Sequence, residues 1–343
     1  TVQVSDGSLT DTQAIAVTVT NTNEAPAITS NGGGASAAVN VAENTTAVTT
    51  VTATDPDAGA TFTYSIAGGA DAAKFTINAS TGVLAFVSAP DREAPTDVGG
   101  DNVYDVTVQV SDGSLTDTQA IAVTITDQND NAPVITSNGG GPTAAISINE
   151  NSPGVTGSSY TDADTVGTYT YSIAGGVDAA MFTINATTGT LSFISAPDFE
   201  TPTDAGANNV YDVIVQLSDG VQACTQSIAV TVNNVNEAPV IFSNGGGATA
   251  TVNTMEDISG VTTVAATDPD AGASIAYSIV GGADAGRFTI NASTGALNFS
   301  ALPDFENPND ADLNNTYTVI VQASDGLGGT DTQTIDVVVG NVN

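Results

Sequence analysis

The chain has 343 residues, which is too long for one ordinary sandwich domain and corresponds to roughly two to four domains of ~100–150 residues. Its 38 acidic residues against 3 basic ones give a formal net charge of −35, so nucleic acid and anionic membrane surfaces are poor partners. The absence of His and the single Cys exclude imidazole acid–base chemistry, His- or Cys-based metal sites and an intrachain disulfide. What remains is oxygen chemistry, in a chain whose 41% hydrophobic content indicates a folded core.

Composition also bears on location. No stretch approaches the ~18 consecutive apolar residues of a membrane span, and the chain does not start with the basic and apolar segments of a signal peptide. Few Lys residues, abundant Thr, Asn and Gly, and free acidic groups that a calcium-rich medium would neutralise favour an extracellular setting. We therefore expect an internal fragment of an extracellular protein, displayed at the cell surface and with no direct membrane insertion.

Self-similarity predicts the domain organisation. The tripeptide Ser-Asp-Gly recurs with its Asp at positions 6, 112, 219 and 325, and other landmarks keep this step of 106 or 107 residues. The predicted units are the C-terminal hairpin of a preceding repeat at 1–23 and full repeats at 24–130, 131–237 and 238–343. A hairpin alone is marginally stable, so the first of these needs a packing partner.

Within each unit, short runs of residues alternate with the period of two that is typical of β-strands. In chain order, the runs of the first repeat are TFTYSI, KFTIN, VLAFV, VYDVTVQV and AIAVTIT. No ten-residue stretch has a helical pattern, and about seven short strands per repeat predict an all-β chain of tandem Greek-key β-sandwiches of the immunoglobulin-like type. The predicted inward-facing residues of the first repeat are Ile66, Phe75, Ile77, Leu84, Phe86, Tyr104, Val106 and Val108.

Acidic residues recur at fixed places between these strands. Each full repeat has a Glu near its start, then an Asp-x-Asp pair, an Asp-x-Glu pair and the Asp of Ser-Asp-Gly. Calcium takes about six to eight oxygen ligands at ~2.3–2.6 Å in irregular geometry, whereas Mg²⁺ requires a stricter octahedron. Because the acids recur as correlated sets in one order, the pattern favours calcium sites over solvated acidic loops.

At this point the sequence resembles a known family. The segment DQNDNAP at 127–133 is similar to the linker between cadherin repeats, and the motifs YSI, TGVL, DRE and VSDG occur in that family's order. The resemblance covers the whole chain. Linkers that read Asn-Glu-Ala-Pro, at 23–26 and 236–239, resemble the bacterial cadherin-like version. The resemblance implies seven-stranded sandwiches in an extended rod, with Ca²⁺ ions held between successive domains.

By matching position, the resemblance also implies the ligands. The first complete site would use Glu43, Asp91, Glu93, Asp127, Asn129, Asp130, Asn131, Asp162, Asp164 and Asp219. The second would use Glu150, Asp198, Glu200, Asn234, Asn236, Glu237, Asp268, Asp270 and Asp325. The half-site at the N-terminal edge would use Asn21, Asn23, Glu24, Asp55, Asp57 and Asp112. The half-site at the C-terminal edge would use Glu256, Asp304, Glu306, Asn341 and Asn343.

Charge counting bears on the number of ions. The first site gathers eight carboxylates, which three Ca²⁺ ions would nearly neutralise and two would not. In the second site Asn234 and Glu237 replace Asp127 and Asp130, and no residue matches Asn131. Seven carboxylates remain there, so we expect fewer or weaker ions, and we expect the N-terminal half-site to be weak or empty.

Electrostatics then predicts a mechanism. Without ions, like charges crowded at each junction repel each other and raise each other's pKa, so the linkers should hinge. Ions shared by two domains would fix the angle between them, and ions that bind only the aligned state would stabilise that state.

Weaker signals have simpler interpretations. The acidic loops 97–102, 204–209 and 310–315 either bind a peripheral ion or, as we favour, are solvated. The Gly triplets at 32–34, 139–141 and 245–247 indicate turns and not a phosphate cradle. Asn78, Asn185 and Asn291 are glycosylation acceptors or turn residues, and Cys224 is interpreted as an incidental thiol.

These observations predict a calcium-rigidified rod of structural or adhesive function, from a long bacterial surface or matrix protein and with the capacity to form filaments. Its expected partners are calcium ions, further copies or repeats of itself, and a cell-surface glycan or protein. The alternative is an array of calcium-dependent carbohydrate-binding modules. An enzyme such as a two-carboxylate glycoside hydrolase is disfavoured, because the acids repeat at every junction and no unit carries a unique polar cluster.

Overall fold

The structure is a computed structural model that describes residues 1–342, and it consists of β-strands joined by turns and loops. Ahead of the first full repeat lie β1 (Val2–Ser5) and β2 (Thr10–Gln13). The predicted first repeat contains β3 (Ala27–Ile28), β4 (Ser36–Ala42), β5 (Ala47–Thr50), β6 (Ala53–Thr54), β7 (Thr63–Gly68), β8 (Phe75–Ile77), β9 (Val83–Phe86), β10 (Val103–Ser111) and β11 (Thr116–Thr126). The middle repeat contains β12 (Val134–Ile135), β13 (Thr143–Asn149), β14 (Gly154–Thr156), β15 (Tyr160–Thr161), β16 (Thr170–Gly175), β17 (Phe182–Ile184), β18 (Leu191–Phe193), β19 (Val210–Ser218) and β20 (Ala223–Asn233). The third contains β21 (Val240–Ile241), β22 (Thr249–Met255), β23 (Gly260–Thr263), β24 (Ala266–Thr267), β25 (Ala276–Gly281), β26 (Phe288–Ile290), β27 (Ala296–Phe299), β28 (Thr316–Ser324) and β29 (Thr330–Gly340).

Helical structure is limited to single 3₁₀ turns within residues 1–342. They lie at Ser30–Gly32, Ala72–Lys74, Ala179–Met181, Ser243–Gly245 and Ala285–Arg287. The prediction of an all-β chain is therefore confirmed. None of these helical turns has the length and apolar character needed to cross a lipid bilayer.

The chain forms two compact units. The first comprises Thr1–Val134 together with Tyr160–Thr170 and Leu217–Cys224, and the second comprises the other described residues. Two loop regions of the predicted middle repeat thus belong to the same unit as the first repeat. The boundaries of the repeats themselves stay a prediction.

In the first unit, the first repeat is built from two main sheets. One has the strand order β4–β11–β10–β7, with β4 parallel to β11 and the other pairs antiparallel. The second has the order β5–β9–β8, and a short antiparallel pair joins β3 to β6. The predicted seven strands become nine because β3 and β6, of two residues each, flank the longer strands.

The second unit repeats this plan in the third repeat. Its sheets have the orders β22–β29–β28–β25 and β23–β27–β26, with β21 paired to β24. In the middle repeat, β13 runs parallel to β20, and β18 pairs with both β14 and β17. The recurrence of one strand plan fixes the loops between the strands at equivalent places, and these loops carry the acids.

The core of the first repeat lies between its sheets. Six of the eight predicted inward-facing residues are buried, and Ile66 and Ile77 are partly buried against them. Phe86 packs between Phe75 and Tyr104, with ring centroids 4.6 Å and 5.2 Å apart. The Tyr104 hydroxyl accepts a hydrogen bond from Thr96 N at 3.1 Å, so this aromatic group is buried with its polar end satisfied.

The N-terminal hairpin shows what burial requires. Val2 and Val4 of β1 are 58% and 68% exposed, whereas the matching Val108 and Val110 of β10 are both 0% exposed. Beyond β2 no strand is formed up to residue 26, although the matching β11 is eleven residues long. The same sequence pattern therefore forms a complete strand pair only where the rest of the sandwich covers its apolar face.

Candidate metal centres at the repeat junctions

We call the ten residues of the first complete predicted site the first junction. A buried glutamate anchors two segments of this junction. Glu43 follows β4 directly and is buried. Its Oε2 accepts a hydrogen bond from Arg92 N and its Oε1 accepts one from Gln128 N, each at 2.7 Å. Because a buried carboxylate needs such donors, Glu43 fixes the Asp-x-Glu loop to the linker that follows β11.

A protein cation lies in the same junction. Arg92 Nη1 is 2.9 Å from Asp127 Oδ2 and donates to Thr165 Oγ1 at 3.2 Å. The same oxygen of Asp127 accepts hydrogen bonds from Thr165 N, at 2.7 Å, and from the Thr165 hydroxyl. The spacing of the acids gave no indication of Arg92 or Thr165, because they lie 73 positions apart in the chain.

The end of the linker is held by Asp164, which is buried. Its Oδ2 accepts from Asp130 N at 2.9 Å and from Asn131 N at 2.8 Å, and its Oδ1 accepts from Asn131 Nδ2 at 2.9 Å. The Asp130 carboxylate accepts from the Asn44 amide, a further contact that the acid spacing did not indicate. Glu93 also reaches this group, with Oε2 3.5 Å from Asn131 Nδ2.

Two loop acids of the predicted middle repeat complete the first junction. Asp162 Oδ1 accepts from Asp164 N at 3.1 Å. Asp219 Oδ1 accepts from Val221 N and Gln222 N, both at 2.7 Å. Each of these loops therefore uses one carboxylate oxygen for its own turn and leaves the second oxygen of the same group available.

Several buried oxygens of the first junction have no hydrogen-bond partner. They are Asp127 Oδ1, Asn129 Oδ1, Asp162 Oδ2 and Asp219 Oδ2. The amide nitrogen of Asn129 does have a partner, since it donates to the Asp219 carbonyl at 3.3 Å. A buried oxygen without a donor is costly, so four in one cluster form a surface suited to a cation.

Burial, neighbouring charges and hydrogen bonds shift the pKa values in this cluster. Partial burial is the largest cause that raises the pKa of Glu93 to about 7, and the charges of Glu43, Asp127 and Asp164 raise it further. At Asp219, burial favours a higher pKa, but hydrogen bonds from its own loop outweigh burial and lower the pKa overall.

Asp91 Oδ1 accepts from the Glu93 backbone N–H at 3.0 Å, so the Asp-x-Glu loop also fixes its own turn.

A tyrosine lies beside the first junction. Burial and the negative charge of Asp162 raise the pKa of Tyr169 to about 12. The matching positions of the other two repeats are Phe62 and Ile275. Tyr169 therefore places a phenol beside the first junction at a position where the other two repeats have none.

The second junction, defined as the nine residues of the second predicted site, repeats the glutamate anchor. Glu150 follows β13 and is buried. Its Oε2 accepts from Phe199 N and its Oε1 from Val235 N, each at 2.7 Å. Asp198 Oδ1 accepts from Thr201 N at 3.0 Å, so both the Asp-x-Glu loop and the linker are held as in the first junction.

Neutral donors hold the linker of the second junction, where Asn234 stands at the position of Asp127. Asn234 Nδ2 donates to Asp270 Oδ1 at 2.7 Å, and Glu237 N donates to Asp270 Oδ2 at 2.9 Å. Asn151 Nδ2 donates to Glu237 Oε1 at 2.7 Å, and Asp268 Oδ1 accepts from Asp270 N at 3.0 Å. The linker of the second junction is thus joined to the next loop by neutral donors.

The Ser-Asp-Gly acid is also used differently. Asp325 Oδ1 accepts from three successive backbone N–H groups, and its Oδ2 accepts from Asn236 Nδ2 at 2.6 Å. The Asn236 hydrogen bond is the first cause of the lowered pKa of Asp325. Only Glu237 Oε2 and Asp268 Oδ2 remain as buried oxygens without a partner among the second-junction residues.

Two glutamates of the second junction are less acidic than usual. Burial is the largest cause of the raised pKa of Glu200, followed by the charges of Glu150, Glu237 and Asp270. Burial also raises the pKa of Glu237, and the hydrogen bond from Asn151 partly opposes that rise. The acids of the second junction therefore repel one another as those of the first junction do.

The N-terminal edge contains half of such a cluster, already joined by hydrogen bonds. Asn23 Nδ2 donates to Asp112 Oδ2 at 2.8 Å, and Glu24 N donates to Asp57 Oδ2 at 2.9 Å. Asp55 Oδ2 is buried without a partner. The set brought together there is Asn21, Asn23, Glu24, Asp55, Asp57 and Asp112.

The C-terminal edge contains the opposite half. Glu256 Oε2 accepts from Phe305 N at 2.9 Å, and its Oε1 accepts from Val342 N at 2.8 Å. The Asn341 amide donates to Glu306. Glu256, Asp304 and Glu306 place carboxylate oxygens within 4.8 Å of one another. Asn343, which was also predicted to belong here, lies outside the described residues.

The donor sets fit a hard divalent cation. Carboxylate oxygens approach within 4.8 Å of one another in the sets Glu43–Glu93–Asp127, Glu93–Asp130–Asp164, Glu150–Asp198–Glu200 and Glu200–Glu237–Asp270. All these donors are oxygens, they are irregularly arranged in loops, and some are buried without partners. This is the ligand chemistry that Ca²⁺ takes in proteins.

The acids of the loops 97–102, 204–209 and 310–315 have a different role. The interpretation of these loops as solvated is wrong for Asp97, which is buried, as are the matching Asp204 and Asp310. Asp97 Oδ2 accepts from Asp101 N at 3.0 Å, and its Oδ1 accepts from Asn102 N at 3.2 Å. These carboxylates stabilise their own loops, because a charged acceptor replaces the water that the loop N–H groups lose.

Comparison with known proteins agrees with this geometry. The sequence profile of the cadherin domain matches residues 37–126 and 250–340, which together exceed half of the chain. Human protocadherin-23 is 29% identical over 282 residues, and human protocadherin Fat 1 is 31% identical over 272 residues. These alignments cover 80% and 77% of this chain but only 8% and 5% of the two relatives.

Solved structures show the same fold. The mouse cadherin-23 EC22–24 structure superimposes with a TM-score of 0.51 at 21% identity, covering 94% of this chain and 100% of that one. The human desmocollin-1 ectodomain gives a TM-score of 0.51 at 23% identity, covering 93% of this chain and 62% of that one. The profile match over more than half of the sequence, on a fold of tandem paired sheets, shows that the chain belongs to the cadherin family.

Proposed function

We propose that this chain is a calcium-binding, non-enzymatic segment of an extracellular protein, with a structural and adhesive role. The observation that carries the proposal is the set of buried carboxylate and amide oxygens without hydrogen-bond partners at the junctions. They lie beside anchored acids in which burial, and after it mutual repulsion, raises the pKa of Glu93 and Glu200. A divalent cation would offset both costs at the same place.

The ligands we assign to calcium are the predicted sets of the two complete junctions, with the two edge sets as half-sites. When bound, calcium would supply positive charge and join oxygens from the Asp-x-Glu loop, the linker and the following loops. Three ions suit the eight carboxylates of the first junction, and fewer ions suit the second, where Asn234 and Asn236 occupy two acid oxygens with amide donors.

Calcium bound at the junctions would hold successive repeats in line, and its removal would let the linkers hinge. A calcium-rigidified rod is therefore the proposed working form of the chain. Because the chain spans 8% or less of the two relatives described above, the adhesion partner of the whole protein is part of this proposal and not of the comparison.

Membership of the cadherin family supports an extracellular location, and one matched structure is described as an ectodomain. We extend the proposal to a bacterial surface or matrix protein whose rods associate with other copies into filaments. The Asn-Glu-Ala-Pro linkers at 23–26 and 236–239 motivate that origin, whereas the two relatives named above come from humans.

Small-angle scattering with and without calcium tests the rod. In millimolar Ca²⁺ we expect a large, sharply defined maximum dimension, and in excess chelator a broader distribution with a smaller mean. The matched control is the double variant Asp162→Asn and Asp268→Asn, which removes one oxygen ligand of the same loop from each junction. Identical scattering profiles of the wild type in both buffers would disprove the rod mechanism. Calorimetry that detected no heat of calcium binding would disprove the metal sites themselves.

A further inference from the structure

The two junctions share one backbone frame around the middle residue of the Asp-x-Glu loop. Arg92 N donates to Glu43 and Phe199 N donates to Glu150, both at 2.7 Å. On the carbonyl side, Asn102 Nδ2 donates to Arg92 O and Asn209 Nδ2 donates to Phe199 O, both at 2.9 Å. Since the backbone is held in the same way, the side chain at this position is the variable part.

In the first junction that side chain is a cation which reaches both the linker and the next loop. Arg92 Nη1 pairs with Asp127 Oδ2 at 2.9 Å and donates to Thr165 Oγ1 at 3.2 Å. Thr165 N and the Thr165 hydroxyl also donate to Asp127 Oδ2, so this oxygen accepts from three donor groups. Asp127 is mostly shielded, with a side chain only 6% exposed, which makes a charge-assisted interaction stronger than at the surface.

None of the three residues has a counterpart in the second junction. Phe199 stands where the first junction has Arg92, Asn234 stands for Asp127, and Ala271 stands for Thr165. The second junction therefore lacks the guanidinium, the carboxylate that pairs with it, and the hydroxyl that contacts both groups.

We propose that Arg92, Asp127 and Thr165 form a calcium-independent ionic clasp that holds the first linker to the loop after Asp164. The second linker contacts the next loop through neutral donors such as Asn234 and has no ionic clasp. The clasp makes the junctions unequal: in calcium-free medium the first keeps a cation of its own, while the second loosens. Only the calcium response of the second junction rests on the proposed function, since the clasp contacts involve protein atoms alone.

Exchange of side chains between the junctions tests the clasp, because the chain itself supplies the replacement residues. One variant carries Arg92→Phe, Asp127→Asn and Thr165→Ala, and the reciprocal variant carries Phe199→Arg, Asn234→Asp and Ala271→Thr. Hydrogen exchange of the full chain is measured in excess chelator at the amides of residues 165 and 271. Amides of β10 and β28 serve as the control for an intact core.

We expect the amide at 165 to exchange about tenfold faster or more in the first variant, as the loss of charge-assisted hydrogen bonds implies. In the reciprocal variant the amide at 271 should become slower by a similar factor. Equal exchange at 165 and 271 in the wild type, together with no change in the reciprocal variant, would overturn the clasp. This reading does not depend on whether the first variant folds.

A calcium titration of the wild type keeps the two proposals apart. If no calcium binds but the exchange differences in chelator persist, the proposed function fails and the clasp stands. If calcium binds at both junctions and the amides at 165 and 271 are equally unprotected without it, the clasp fails and the proposed function stands.

Discussion

Glu43 in the first junction and Glu150 in the second accept the same pair of backbone hydrogen bonds at the same distance of 2.7 Å. Around these anchors the junctions differ in the groups that offset negative charge. The first has eight carboxylates and one guanidinium, and the second has seven carboxylates and no cation, with the Asn234 amide donating to Asp270 where the first has Asp127. The formal charge, counting Arg92, is −7 in both (8 − 1 and 7 − 0).

Equal net charge with unequal hydrogen bonding teaches that charge counting alone does not rank metal sites. Four buried oxygens in the first junction lack a partner, against two in the second. Asn236 satisfies Asp325 Oδ2 in the second junction, whereas the matching Asp219 Oδ2 is free of donors. The first junction is therefore better prepared for a cation, although it already contains one.

The largest expected effect comes from removal of the anchoring glutamate. Glu150→Ala deletes two charge-assisted hydrogen bonds of about 1.5–3 kcal/mol each, and relief of acid repulsion offsets part of this. We expect a loss of about 3 kcal/mol in the free energy of unfolding in chelator, measured by denaturant titration. Glu43→Ala should cost less, because the contact of Arg92 with Asp127 still holds the linker.

Glu150→Gln is the control for this comparison, because one amide oxygen can still accept a hydrogen bond. The free energy of unfolding of Glu150→Gln in chelator should lie between that of the wild type and that of Glu150→Ala. Equal losses for Glu43→Ala and Glu150→Ala would remove the argument that the first linker has a second support.

The next effect concerns the Ser-Asp-Gly acids. Asp219→Asn replaces the free oxygen with an amide while Oδ1 keeps its two loop hydrogen bonds, so calcium affinity at the first junction should fall about ten- to a hundredfold, or ~1.4–2.8 kcal/mol. Stability in chelator should change little. Asp325→Asn should reduce stability in chelator as well, by about 1 kcal/mol, because both of its oxygens accept hydrogen bonds.

Terbium emission sensitised by a phenol gives a site-selective measurement of that effect. Tyrosine excitation should report Tb³⁺ at the first junction, and the Tyr169→Phe variant should weaken this signal, with Tyr160, whose ring centroid lies 4.5 Å from that of Tyr169, as the remaining phenol. Were Asp219→Asn to leave the Tyr169-dependent emission titration unchanged, the assignment of Asp219 as a ligand would be wrong.

A smaller effect is expected in the pH dependence of the free energy of unfolding without calcium, to which a glutamate of each junction contributes. The pKa of Glu93 is raised from 4.5 to about 7 on folding, so the folded state binds an extra proton between these values. Stability in chelator should therefore fall as pH rises from about 4.5 to 7 and level off above that range.

Glu93→Gln should flatten this slope when the free energy of unfolding is measured across the range. Glu200→Gln should reduce a slope of the same sign, because the pKa of Glu200 is also raised. An unchanged pH profile in Glu93→Gln would contradict the assignment.

Much of this molecule could be predicted from its sequence. Residues such as Phe75, Phe86 and Val108 alternate in strands and are buried as expected, because the period of two places them on one sheet face. Some acids of the predicted junctions approach one another, such as Glu93, Asp130 and Asp164, since equivalent strands place equivalent loops at equivalent positions.

What could not be predicted depends on contacts between distant loops. Arg92 and Thr165 carry no spacing signal, and their meeting at Asp127 follows from how three loops fold against one another. The turn role of Asp97 was hidden for a similar reason, because an acid in a polar loop has the same composition whether it is solvated or accepts its own loop's N–H groups.

The smallest expected effect concerns the asparagines that follow the anchoring glutamates. Asn44 and Asn151 have φ angles of 59°, so both occupy the left-handed region. Asn151→Ala removes the donor to Glu237 Oε1, so the pKa of Glu237 should rise further, as NMR titration in chelator would show. The cost in stability should be about 1 kcal/mol or less. Asn44→Ala should affect Asp130 less, because Asn131 Nδ2 also donates to that carboxylate, at 2.9 Å. Gly variants at both positions avoid the backbone strain of Ala and isolate the loss of the amide donor. If the Glu237 carboxyl titrates identically in Asn151→Gly and the wild type, the neutral donors are not what sets the acidity of the second junction.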